Sequence, residues 1–194
     1  MRKNLGVKTY AYPQPVFIIA TYDEDGTPDA MNAAWGCIAD SDKIALYLAK
    51  EHKTVKNILK KKAFTVSMAT EEYVIACDYV GIVSANKVKD KFMRAGFHDV
   101  KSEFVDAPLI EELPLTLECK MESFDEESEL LIGKIVNVCV DESIIGENGK
   151  IDPLKLKPIT FDPVNHTYIN LGEKVGHAFK DGMNIKNNIS TKDE

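Results

Sequence analysis

Residues 15–22, PVFIIATY, are an unbroken run of β-branched and aromatic side chains and read as a strand. The next residues, DEDGTPDA, carry turn signals at Asp25-Gly26 and Pro28, so the strand and the alanine-rich segment around Trp35 predict a hairpin. After the polar break DSD, Ile44, Leu46 and Leu48 alternate through KIALYLA (43–49) as a third strand, and AFTVSMA (63–69) supplies a fourth. Between them Val55, Ile58 and Leu59 fall at i, i+3 and i+4 and predict a helix beginning near Thr54. Thr54 is its expected N-cap, and lysines occupy the opposite face.

Further helices are predicted over about 72–82, with Val74, Ile75, Tyr79 and Val80, and over about 87–95, ending at Gly96. Beyond Pro108 and Pro114, LTLECKMESF and ELLIGKIVNVCV flank the acidic turn DEES. Leu115, Leu117, Cys119 and Met121 share one face of the first, and Ile132, Val136, Val138 and Val140 one face of the second. This is the pattern of a long antiparallel hairpin buried mainly on one side. PITFD and HTYINL read as short late strands, GEKVGHAFKDG as a closing helix, and NIKNNISTKDE as a polar tail expected to be disordered or loosely attached.

Six to eight strands, mostly neighbours in sequence, with three or four inserted helices, describe a mainly β chain. An antiparallel barrel dressed with helices removes the exposed edges of so many strands. Strand–helix alternations are too few for a doubly wound sheet, and no G-x-G-x-x-G follows the first strand. One domain over residues 1–182, with a tail at 183–194, is expected.

Composition narrows the function. With 44% hydrophobic and 28% charged residues in 194, the chain reads as an ordinary soluble protein, and no apolar run reaches the ~18 residues of a membrane span. No continuous apolar stretch precedes Pro13, so a secretory signal is not indicated and the cytosol is the expected compartment. The formal net charge of -7 argues against nucleic acid as partner. Two basic islands, KEHKTVKNILKKK (50–62) and NKVKDKFMR (86–94), suit a small anion bound locally. Cys37, Cys77, Cys119 and Cys139 are far apart and outside any C-x-x-C, which signals neither a metal site nor a disulfide framework. They read as buried free thiols, with Cys37 left open because it lies two residues from Trp35.

The candidate chemistry has two halves. A helix N-terminus offers unpaired N–H groups and partial positive charge, and Lys50, His52, Lys53 and Thr54 surround one. Taken alone, the same residues are equally a cap and a solvated lysine face. Ser84, Asn86, Lys87, Lys89 and Lys91 gather at a second helix start, and without a P-loop sequence a monophosphate suits the pair better than a triphosphate. The other half is NAAWGC: Ala33, Ala34 and Gly36 let a flat ring approach the strand, Asn32 can bond its polar edge, and Trp35 can flank it.

Those segments, in the order ATYDEDGTPDAMNAAWGC, KEHKTVKNILKKKAFTVSMAT, DYVGIVSANKVKDK, DAPLIEELPLTLECK, GKIVNVCVDE and YINLGEKVGHAF, resemble the flavin reductase-like family. Within it, they are most similar to the flavoredoxin branch, from about residue 12 to 182. The resemblance implies the FMN-binding split-barrel fold and a homodimer with FMN near the subunit interface. It implies an isoalloxazine ring on Asn32, Ala33, Ala34 and Trp35, with Leu48, Ala49 and Lys50 along its path. Lys53 and Thr54 would hold the phosphate, and Ser84, Asn86 and Lys87 would close the site. Where many relatives look like N-A-A-W-G-G, this chain has Gly36-Cys37.

The activity implied is transfer of reducing equivalents from NADH or NADPH through FMN to a flavin or protein acceptor. The alternative is a flavoredoxin-type carrier that exchanges electrons with another redox protein and has little nicotinamide activity. A barrel that had lost its flavin fits less well, because both the N-A-A-W strand and the K-T helix start are intact. No side chain is named as a catalytic acid or nucleophile, since flavin carries the chemistry. Of the four histidines, His166 is the one expected to come nearest the flavin, and His52, His98 and His177 read as surface groups.

Overall fold

The computed structural model describes residues 1–183 and 185. The expected tail otherwise lies outside the described residues. Seven antiparallel strands form the main sheet: β2 (Phe17–Tyr22), β3 (Pro28–Ala33), β4 (Gly36–Asp40), β5 (Lys43–Tyr47), β6 (Ala63–Met68), β9 (Leu115–Asp125) and β10 (Leu130–Val140). Beside it β1 (Gln14–Pro15), β11 (Ile159–Asp162) and β12 (Thr167–Asn170) make a small sheet, and β7 (Asp99–Lys101) pairs with β8 (Pro108–Ile110). The helices are α1 (Lys53–Lys61), α2 (Val74–Ile82), α3 (Lys91–Arg94) and α4 (Pro153–Leu156).

The strand order in the main sheet is β3-β2-β6-β9-β10-β5-β4, which puts β3 and β4 at opposite edges although only Ala34 and Trp35 separate them. Laid flat, six strand spacings would hold the edges about 29 Å apart. Three backbone steps reach no more than about 11 Å. The sheet therefore rolls until its edges meet, and the expected split antiparallel barrel results.

β2 is buried along its whole length because both its faces are covered. Phe17 and Ile19 point into the barrel with Ile44, Leu46, Phe64, Val66 and Leu131; Ile18 and Ala20 point outward, under Cys77 and Val80 of α2, Phe92 of α3 and Ile159 of β11. Helix α1 inserts Val55 and Ile58 into the barrel cluster, as its periodicity requires.

Four expectations fail. A bulge at Val136 adds a residue to β10, so the barrel-facing set is Leu131, Gly133 and Ile135 before it, while after it Val138 and Val140 fall opposite Leu117 and Leu115 but stay outside the buried core. Ile132 is out of phase with the valines, which remain partly open at 36–46% exposure. In the 87–95 segment only Lys91–Arg94 is helical, still ending before Gly96 at φ +81°. The closing helix does not form: residues 171–177 have no regular structure and 178–182 turn, with Val175 and Phe179 fully exposed. Three glycines, at 172, 176 and 182, disfavour a helix that has no apolar face to bury. Ile75, expected with the apolar residues of α2, is 84% exposed.

Gly133 is held to glycine by the barrel interior, since a Cβ there would lie 2.3 Å from Cζ of the fully buried Phe64. We expect Gly133→Ala to destabilise the fold by about 1–3 kcal/mol, read from urea unfolding midpoints at unchanged m-value.

Candidate flavin site

The loop entering α1 turns at His52, whose N–H bonds to Ala49 O at 3.1 Å. His52 is the N-cap, extended at φ −63° and ψ 138°, and its side chain caps nothing. The first helical bond runs from Lys56 N to His52 O, leaving the N–H groups of Lys53, Thr54 and Val55 without helical partners. Thr54 is therefore not the cap. A cap needs extended backbone ahead of the first turn, and Thr54 already lies inside it. Its hydroxyl instead donates to Asp29 Oδ2 on β3 at 2.6 Å, with both residues buried.

Asp29 Oδ1 faces the Lys91 ammonium at 3.3 Å, and both side chains are 4% exposed. Lys91 Nζ also donates to Val80 O at 3.2 Å and Val83 O at 3.0 Å, the carbonyls at the end of α2. Two of its protons thus go to backbone carbonyls and its charge faces Asp29, which corrects the reading of Lys91 as a free anion donor. One internal cation neutralises a buried carboxylate and a helix C-terminus together.

A cavity of about 260 Å³ opens above this network and brings Asn32, Lys53, Thr54 and Ser84 together with His52 and Gly81. No carboxylate lines it. An adjoining cavity of about 230 Å³ shares Lys53 and Ala85 but carries Asp23, Asp25 and Asp29, together with Asn86 and Lys89. Lys53 stands between the two, paired with Asp23 Oδ2 at 2.6 Å, and the ammonium holds the Asp23 carboxyl well below the usual range.

The remaining expected residues are distributed around these cavities. Asn86 Nδ2 donates to Glu51 O at 3.2 Å and its N–H to Ser84 Oγ at 3.3 Å, tying the loop after α2 to the entrance of α1. Lys87 is exposed on that loop and lines neither cavity. Leu48 is 2% exposed and belongs to the barrel core, so its side chain supports the site from below. Ala49 is half-buried and Lys50 exposed, with Lys50 N bonded to Glu129 Oε1 at 3.0 Å. Glu129, at φ +59°, also accepts the Leu48 N–H through its carbonyl. Nothing in the sequence marked that turn residue.

Ala33 is buried, Ala34 half-buried and Trp35 58% exposed. Trp35 lies three residues from Asn32, within about 11 Å at full extension. Its carbonyl accepts from Tyr47 N, and the outward face beside it carries Cys37 opposite Ala45, with Tyr47 opposite Leu130 and Ala45 opposite Ile132. Cys37 is exposed, not buried; Cys77 and Cys119 are buried, and that burial pushes both thiols up to about 12. Cys139 is half-buried. His52, and not His166, is the histidine on the cavity; His166 sits in the β11–β12 turn at φ +56° against Phe161. Among the described residues, no helix is long and apolar enough to cross a membrane.

Residues 9–161 match the family described as flavin reductase like domain. The chain belongs to that family. This flavin reductase-like protein is 40% identical to the flavoredoxin of Desulfovibrio vulgaris (Miyazaki F), with a TM-score of 0.89 over 94% of this chain and 100% of that one. It is 26% identical to nitrilotriacetate monooxygenase component B from Bacillus cereus, with a TM-score of 0.72 over 85% of this chain and 88% of that one. The FMN-binding domain of a flavin reductases-like enzyme from Shewanella baltica OS155 shares the fold, at 19% identity and a TM-score of 0.76 over 84% and 89% of the two chains.

Within this flavin reductase-like fold the residues that sequence reasoning missed are the supporting ones. Asp29 falls in the turn-rich segment DEDGTPDA, and Asp78 and Tyr168 carry no periodic signal.

Replacing one member of the buried pair strands the other. We expect Lys91→Met to cost about 3–5 kcal/mol of unfolding free energy, and Asp29→Asn with Lys91→Met to recover most of it, both measured by chemical denaturation of the protein without added flavin.

Proposed function

We propose that the protein is an FMN-binding oxidoreductase that takes reducing equivalents from NADH or NADPH and passes them to a flavin or protein acceptor. The observation that carries the FMN assignment is the cavity at the start of α1. In a chain of net charge -7, it is lined by Lys53, His52 and an uncapped helix N-terminus and by no carboxylate, while the adjoining cavity has three aspartates. This donor set suits a phosphate.

The size is also informative. About 260 Å³ falls below the ~300–1,000 Å³ usual for a small-ligand pocket, so the cavity suits the charged tail of a mononucleotide and leaves its ring on the Ala33–Trp35 surface. When bound, FMN supplies the hydride and single-electron chemistry. The chain's own residues bind and orient it: the first-turn N–H groups and Lys53 hold the phosphate, Asn32 fixes a polar group further along, and Trp35 flanks the ring. A second copy of the chain on the Trp35, Tyr47, Leu130 and Ile132 face would cover the open side, and we assign the working form as a homodimer in the cytosol.

The second reading is an electron carrier that serves another redox protein. The 40% identity to a flavoredoxin favours it.

Titration with FMN and anaerobic stopped-flow mixing separate these readings. We expect saturable FMN binding at micromolar concentration and bleaching of the flavin absorbance within seconds of adding NADH or NADPH. Binding without bleaching would leave the carrier, and no FMN binding would overturn both.

A further inference from the structure

The side-chain amide of Asn32 is oriented by its surroundings. Its Nδ2 donates to Cys77 O of α2 at 3.1 Å and lies 3.5 Å from Tyr168 Oη of β12. A backbone carbonyl can only accept, so the amide nitrogen, not its oxygen, must face α2. Tyr168 gives its own proton to Asp78 Oδ1 at 2.7 Å. The phenol is held protonated by burial and by Asp78, which push it above its ordinary value. Hydrogen bonds therefore run one way, from Asn32 N–H to the tyrosine oxygen and from the tyrosine O–H to the carboxylate.

Close packing allows this arrangement. A Cβ on Gly81 would lie 2.9 Å from Cβ of Asn32, so the α2 backbone meets Asn32 directly. Asn32 also lines the cavity at the start of α1. With both amide hydrogens turned toward α2 and β12, Oδ1 is the atom it has left to offer a ligand.

We propose that Asp78 and Tyr168 are positioning residues that present Asn32 to the cavity as a hydrogen-bond acceptor, so that the site selects a ligand carrying an N–H or O–H donor at that point. This rests on the flavin reading, and it names what the flavin must contribute: either the imide N–H of the ring or a hydroxyl of the sugar-alcohol chain. An acceptor-only Asn32 discriminates against a ligand that places a carbonyl there, because two acceptors would face each other with no proton between them.

The test measures dissociation constants by quenching of flavin fluorescence for FMN, riboflavin, lumiflavin, which lacks the hydroxylated chain, and 3-methyl-lumiflavin, which also lacks the imide N–H. If the ring is the donor, Asn32→Ala weakens FMN and lumiflavin alike by about three- to tenfold. If a hydroxyl is the donor, FMN and riboflavin weaken by that factor and lumiflavin does not. In both cases 3-methyl-lumiflavin is unaffected. An equal loss for all four ligands, or none, overturns the proposal.

For the positioning residues, Asp78→Ala frees the tyrosine proton, which favours the flipped amide with Oδ1 toward β12 and Nδ2 toward the cavity, and we expect a loss of FMN affinity of about threefold or more. In a Tyr168→Phe background there is no proton to release, so adding Asp78→Ala should cost nothing further. Additive losses overturn the positioning role. Asp78→Leu, which also removes the acceptor, replaces Asp78→Ala if thermal melts show that the latter is unfolded. Wild-type protein that quenches no flavin would sink the flavin reading and this inference with it, whereas wild-type binding with Asn32→Ala unchanged removes this inference alone.

Discussion

The two-residue link between β3 and β4 is the constraint on which the molecule depends. Because Ala34 and Trp35 are all the chain that joins opposite edges of a seven-stranded sheet, the sheet must close, and the closing point falls beside Asn32. Small residues suit that point: Ala33 is packed inside the barrel, and the chain leaves it within two residues, with Trp35 facing outward. Barrel closure and the small, flat surface next to the tryptophan are thus consequences of the same short connection.

Around that point the fold manages charge at close quarters. The start of α1 supplies partial positive charge to the cavity, while the end of α2 and the carboxylate of Asp29 would oppose it. Lys91 contacts both opposing groups from below. The cavity can therefore be lined without a carboxylate in a protein with an excess of acidic residues, and Asp29 is turned to a structural task, holding the Thr54 hydroxyl. The same economy of direction appears at Asn32, where neighbours fix which end of an amide faces the ligand.

One group of open apolar residues gathers on a single face of the barrel. Trp35, on the link, and Tyr47, on β5, are each more than half exposed on the outward side of the barrel, next to half-buried Leu130 and Ile132. A barrel interior is already filled by Phe17, Ile44, Leu46, Phe64 and Leu131, so these outer side chains contribute nothing to its core. In the proposed homodimer they would meet the ligand and a second copy of the chain, so that binding and assembly would share one face.

Much of this was legible along the chain. Strands β2, β5 and β6, the hairpin of β9 and β10, and the apolar face of α1 follow from local periodicity, because side chains at spacing 2 or 3.6 must share a face whatever surrounds them. So did Asn32, Lys53, Thr54 and Ser84, whose donor chemistry marked them before their convergence on one cavity was visible. What period could not supply was phase and partnership. The extra residue at Val136 shifts β10, and the cap of α1 falls at His52 because the backbone is extended there. Thr54 meets Asp29 across 25 residues, Asp29 meets Lys91 across more, and Tyr168 meets Asp78 across 90. Such pairings are decided by how elements stack in space, so the sequence determined which groups were available and tertiary packing alone decided which way each one points.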